Sequence, residues 1–247
     1  MKVTAIVQAR MGSTRLPGKV LMNLGSVTVL GRVVQRLQRA ALIHECVVAT
    51  TAALADDAIV DECQRLNVPV FRGSEHDVLD RYLQAARHFG SDAIVRITSD
   101  CPLIDPEVVD NVVRGLTEQR AEFACNVLTR TYPRGLDVEA FTIEALEKAW
   151  RDSNQPHQRE HVTPLFYERI QIFRVASVHE KQDFSHYRWT LDTPDDLRLI
   201  REIYSHFDND HFGWRDVIAL MERLPELPAI NARVVQKSVQ DGAQSSV

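Results

Sequence analysis

Between Gln8 and Lys19 the chain sets three cations, Arg10, Arg15 and Lys19, among Gly12, Ser13, Thr14 and Gly18. That grouping suits a polyphosphate. Arginine grips phosphate oxygens bidentately, lysine supplies a compact charge, and hydroxyls add donors. Glycines let backbone N–H groups approach an anion and adopt positive φ. The spacing is not that of a Walker A loop, because five residues separate Gly12 from Gly18 and Val20 follows Lys19. It is not GxGxxG either. Ala9, Arg10, Met11, Gly12, Ser13 and Lys19 are the candidate nucleotide contacts. Arg15 and Lys19 are the candidates for stabilising charge on a departing polyphosphate.

Two later segments each offer one aspartate without a local duty. In Thr98-Ser99-Asp100-Cys101-Pro102-Leu103-Ile104-Asp105-Pro106, Asp105 reads as a helix N-cap and Pro106 as the first helical residue. Asp100 is left over. In Leu191-Asp192-Thr193-Pro194-Asp195-Asp196, Thr193 reads as the N-cap and the two later acids favour the positive end of the helix dipole. Asp192 is left over. Two bare carboxylates beside a triphosphate repel it, and Mg²⁺ is typically held by one or two carboxylates together with phosphates. Asp100 and Asp192 are therefore the candidate metal ligands, and Thr98 and Ser99 join the candidate nucleotide contacts.

Arg134, Asp137 and Glu139 combine a turn with alternating charge, suited to the carboxylate and hydroxyls of a small acceptor. Glu160 and His161 are further acceptor candidates. Being adjacent, they do not share a helix face as the residues of HExxH do, so zinc chemistry is not expected. No GxSxG elbow points to a serine hydrolase.

These residues need elements to hold them. Val3–Val7 reads as a strand buried on both faces, and 46–51, 68–71 and 93–98 read as further strands. Helical spacing recurs between them, for example at Val29, Leu30, Val33, Val34 and Leu37. Alternating strands and helices predict βαβ units, a mainly parallel sheet, and a ligand crevice at the carboxyl ends of the strands. Asp56 and Asp57 are expected to favour the start of the helix that follows them. After Glu122 the pattern predicts strands over 136–141, 170–176 and 187–191, with helices over 142–150, 158–167 and 194–204. The expected organisation is one domain over 1–235, with an acceptor or dimer region near 122–180 and a frayed polar tail over 236–247.

The net charge of -5 argues against broad nucleic-acid binding. Met1 to His44 nevertheless contains no acid, and Arg32, Arg36 and Arg39 are expected to solvate a helix face. The four cysteines form no CxxC pair, and no apolar run is long enough to span a membrane, so a cytoplasmic setting is expected.

The string QARMGSTRLPGKVL resembles the N-terminal signature of the CMP-sugar synthetases, the cytidylyltransferases for acidic sugars such as Kdo and neuraminic acid. It is most similar to the branch named for the spore coat polysaccharide biosynthesis protein SpsF, and the likeness runs from Val3 to about Tyr204. SDCPLIDP and LDTPDDL resemble the family's two metal-binding segments, with Cys101 where the family usually carries an acid. The resemblance implies a three-layer αβα, nucleotide-diphospho-sugar transferase fold, GT-A-like and Rossmann-like. It also implies CTP and Mg²⁺, a small acidic sugar-like acceptor, and a homodimer. REHVT is similar to a segment that lies near the acceptor pocket and dimer contact in relatives. Two rival expectations stand beside this one: a GT-A-type glycosyltransferase using a nucleotide-sugar, and a nucleotide-binding subunit without turnover.

Overall fold

The structure is a computed structural model, and it describes residues 1–13 and 15–236. Thr14 and most of the polar tail lie outside the described residues. β1 (Val3–Gln8) is followed by a short hairpin, β2 (Asn23–Leu24) and β3 (Val27–Thr28), and then by α1 (Val29–Leu37). β4 (Glu45–Thr51), α2 (Asp57–Arg65), β5 (Val70–Gly73), α3 (Val78–His88), β6 (Ala93–Thr98) and α4 (Pro106–Glu118) continue the alternation. Next come β7 (Phe123–Cys125), β8 (Glu139–Thr142), α5 (Ile143–Asp152), α6 (Pro156–His161), α7 (Pro164–Glu168) and β9 (Val175–Ser177). α8 (Pro194–Ser205), α9 (Trp214–Arg223) and α10 (Glu226–Ala229) close the described chain.

Seven strands form one sheet in the order β5-β4-β1-β6-β8-β7-β9. β4, β1 and β6 pair in parallel, and β8 alone runs against its neighbours. Side chains alternate between the faces, as the two-residue period of a strand requires. Val3, Ala5 and Val7 point into one apolar layer with α1, α4, α8 and α9, while Ile6 points into the other with α3, α5 and α7. The result is the expected three-layer arrangement. From β1 the chain winds outward to β4 and β5, then returns to place β6 on the opposite flank of β1. The connections leaving β1 and β6 therefore run to opposite sides, which opens a crevice at their carboxyl ends, where ligands collect in such sheets.

Several expectations are corrected. Arg36 does not solvate a helix face: it is fully buried, donates to the Ile104 and Phe212 carbonyls at 2.7 and 3.0 Å, and lies over the Phe212 ring. Arg32 pairs with Asp210 at 2.8 Å. Residues 187–191 form no strand; the segment makes one isolated bridge, Arg134 to Arg188, and spends its other bonds on loops. The strand predicted from Leu136 begins only at Glu139, because the Asn126 side chain bonds Leu136 and Val138 in place of a ladder. The helix predicted over 158–167 breaks into α6 and α7 at Val162, which has φ 71° and stands two residues before Pro164. Of the strand predicted over 170–176, Ile170–Ile172 is a 3-10 turn.

Candidate active site

Asp56 organises the loop after β1. Its carboxylate, 2% exposed, accepts from the Met11 N–H at 2.8 Å, the Thr51 N–H at 3.1 Å, and the Thr50 and Thr51 hydroxyls at 2.9 and 2.6 Å. Burial by itself pushes this carboxyl up, but those donors bring it below the usual carboxylate range. Asp56 thus clamps the loop to the end of β4 rather than capping α2.

Within the loop, Ser13 and Gly18 donate their N–H groups to the Met11 carbonyl, and Lys19 donates to Leu16. Leu16 donates to the Ser13 hydroxyl at 3.4 Å. These backbone donors are consumed internally. Gly18 sits at φ 67°, in the left-handed region glycine favours, and directs Lys19 into a 3-10 turn. Gly12 is not in that region.

The Lys19 ammonium bridges the two leftover aspartates. It donates to Asp100 Oδ2 at 2.8 Å, Asp192 Oδ1 at 2.9 Å and the Leu191 carbonyl at 2.7 Å. Burial alone lowers the lysine pKa, but Asp100 and Asp192 reverse that and hold it above its ordinary value. Burial likewise raises the Asp100 carboxyl, and Lys19 beside it brings it below the ordinary value. Arg15 pairs with the same Asp192 oxygen at 2.9 Å. Arg188 holds the other at 2.8 Å and is itself fixed by Asp196, which is fully buried and bonded by Thr193 and Asn231. Arg188 escaped sequence reasoning, although its four-residue spacing to Asp192 and eight-residue spacing to Asp196 were visible.

The two aspartate segments lie side by side, with the Leu191 N–H donating to the Asp100 carbonyl at 2.8 Å. Gly135 crosses beneath them at φ 102°; a Cβ there would stand 2.6 Å from the Trp189 carbonyl carbon. Together these segments enclose a cleft of about 520 Å³ at the carboxyl ends of β1 and β6.

Of the loop candidates, Ala9, Arg10, Gly12, Ser13, Arg15 and Lys19 line the cleft. Thr98, Ser99, Asp100 and Asp192 line it as well, as do Arg134, Asp137, Glu160 and His161. Two candidates do not. Met11 packs against the apolar core and offers only backbone contacts. Glu139 opens β8 and is buried, with one oxygen on Arg96 at 2.5 Å and the other receiving the Tyr167 hydroxyl. Asp137 reaches the cleft but is held by both terminal nitrogens of Arg130, at 2.6 and 2.8 Å. Arg134 lines the cleft with no ion pair among the described residues. Burial pushes the His161 imidazole below its ordinary value, which favours the neutral ring.

The cleft also contains residues the sequence did not single out. Gln8 presents a buried side-chain oxygen without a partner, and Arg81 and Arg96 each carry a buried, unbonded Nε. Their signal was faint: Gln8 ends a strand, and the two arginines lie inside apolar elements where a cation needs a reason.

The cleft brings cationic side chains together with two acid-bearing segments. A family model described as cytidylyltransferase matches residues 4–215. The chain is 40% identical to the uncharacterized protein MJ1063 of Methanocaldococcus jannaschii over 98% of its own length and 99% of that protein. It is 31% identical to the spore coat polysaccharide biosynthesis protein SpsF of Bacillus subtilis, covering 90% of this chain and 94% of that one. A solved cytidylyltransferase from Leptospira borgpetersenii superposes with a TM-score of 0.90 at 37% identity, over 96% of this chain and all of that one. The family model spans most of the chain, so the chain belongs to the cytidylyltransferase family and is an enzyme of that class.

Proposed function

We propose that the cleft binds CTP with Mg²⁺ and transfers CMP to a small acidic, sugar-like acceptor, releasing pyrophosphate, in the biosynthesis of a surface polysaccharide. One observation carries the reading: Asp100 and Asp192, distant in sequence, meet around a single cation, the Lys19 ammonium. A pair of hard carboxylate oxygens converging on one positive charge is a donor set that suits Mg²⁺ alongside phosphate oxygens and water. Bound there, the metal would supply charge neutralisation at the α-phosphate.

The protein's own groups account for the rest. Arg10, Arg15 and the Ser13 hydroxyl hold the phosphates. Arg134 and His161, which also line the cleft, orient the acceptor. An acceptor hydroxyl then gives up its proton to solvent water, its oxygen bonding to the α-phosphorus as the bond to pyrophosphate breaks, with Arg15 opposing the growing charge. Such catalysis is positioning plus fixed electrostatics. The resemblance to SpsF supports the polysaccharide setting, and the family's usual cytoplasmic homodimer is part of the same proposal. Among the described residues no helix is long and apolar enough to cross a membrane.

The test is a pyrophosphate-release screen of CTP, UTP, ATP and GTP against acidic sugars and sugar phosphates, with and without Mg²⁺. Metal-dependent release from CTP with an acidic sugar is the expected result. Release from UTP alone would overturn the base assignment. Silence from every pair would favour a nucleotide-binding subunit without turnover.

A further inference from the structure

The three protons of the Lys19 ammonium are all engaged, on Asp100, Asp192 and the Leu191 carbonyl, at 2.7–2.9 Å. None remains for a phosphate. The oxygens Lys19 occupies are also the ones the two aspartates would offer a metal. The charge around it is already balanced: Lys19 and Arg15 offset Asp100 and Asp192, while Arg188 is shared with Asp196. Without nucleotide, a divalent cation meets a neutral site with an ammonium in place, and two cations on the same oxygens repel. A bound triphosphate changes both conditions. It adds several negative charges beside the aspartates, and it gives the lysine other acceptors. The lysine stem is long and flexible, and its backbone is anchored by the turn after Gly18, so the ammonium can swing without moving the loop.

We propose that Lys19 is the resident cation of the metal site in the nucleotide-free enzyme, and that it trades places with the divalent metal when the triphosphate arrives. The inference rests on the nucleotidyl-transfer reading above and adds an order to it: nucleotide enters first or together with the metal, and the displaced ammonium then grips the phosphates. Lys19 so serves as a placeholder before catalysis and as a phosphate ligand during it. It also prevents the empty pair of carboxylates from repelling incoming nucleotide.

Mn²⁺, read by its electron paramagnetic resonance signal, tests this without turnover. The wild-type protein alone should bind Mn²⁺ weakly. Adding a CTP analogue with a methylene between the α- and β-phosphorus should tighten binding at least tenfold. Lys19→Met should bind Mn²⁺ without nucleotide at least tenfold more tightly than wild type, and Asp192→Asn in that background should reverse the gain. Lys19→Gln serves as the second variant, with circular dichroism confirming that each is folded. If wild type binds Mn²⁺ equally well with and without the analogue, or if neither folded Lys19 variant gains affinity, the exchange is overturned. If wild type holds no Mn²⁺ even with the analogue, the nucleotidyl-transfer reading itself fails.

Discussion

The Met11 backbone N–H donates to the Asp56 carboxylate at 2.8 Å, joining the loop after β1 to the end of β4 across 45 positions of sequence. The Asp56→Ala variant leaves that N–H and the Thr50 and Thr51 donors without their acceptor. Buried unsatisfied groups cost about 1–3 kcal/mol each, with partial relaxation, so a loss on the order of 2–4 kcal/mol is expected. Urea denaturation measures it. An unchanged midpoint would show that the loop holds itself in place.

The same residue sets a pH dependence. Its folded carboxyl lies below the ordinary value, so its stabilisation is fully present above the unfolded value of about 3.9. It is lost as pH falls through the lower, folded value. The stability advantage of wild type over Asp56→Asn should therefore be constant near neutrality and shrink below about pH 4. Denaturation midpoints across that range give the comparison, and a gap that widens in acid would contradict it.

Arg188 stands between Asp192 and the fully buried Asp196. Removing one partner of a buried ion pair typically costs about 3–5 kcal/mol, and Arg188→Met is expected to fall in that range. Lysine lacks the planar fork that reaches both carboxylates, so Arg188→Lys should recover only part of the loss. Thermal unfolding of the three proteins would rank them. A fully stable Arg188→Met would mean that Asp196 is satisfied by Thr193 and Asn231 alone.

Arg15 has a partly exposed side chain and, among the described residues, pairs only with Asp192. Its removal should barely touch stability, by about 1 kcal/mol or less. Turnover should fall roughly 10²–10³-fold, as for a lost transition-state donor. Parallel melting and pyrophosphate-release assays separate the two effects. A variant that melts early while keeping its turnover would make Arg15 a structural residue.

Gly135→Ala must adopt φ 102° and place its Cβ 2.6 Å from the Trp189 backbone. The dihedral alone costs about 1–3 kcal/mol, and the contact pushes on the segment carrying Thr190 and Asp192. Reduced stability and a raised acceptor KM are both expected. Wild-type values for each would show that the segment yields freely.

Much of this site was legible in the chain, and the legible parts are local. The alternation of β-branched runs and amphipathic helices located β1, β4 and β6 within a residue or two. The caps at Asp105 and Thr193 follow from side chains bonding N–H groups two or three positions away. Removing those local duties isolated Asp100 and Asp192, and both line the cleft.

What the sequence could not supply is the identity of distant partners. Glu139 looked like a cleft residue until β8 paired with β6 and set it against Arg96. Arg36 looked like surface until the chain near Phe212 covered it. Residues 187–191 have strand-like composition, yet the Arg134 backbone and the Asp100 carbonyl take the bonds a ladder would use. By itself the sequence determined which residues carry charge and which stretches bury an apolar face, because those depend on side-chain type and short-range period. Only the tertiary structure decided that Lys19 sits between the two aspartates. Electrostatic pairing is governed by distance in space, and residues 19, 100 and 192 become neighbours only when β1 and β6 lie side by side in the sheet.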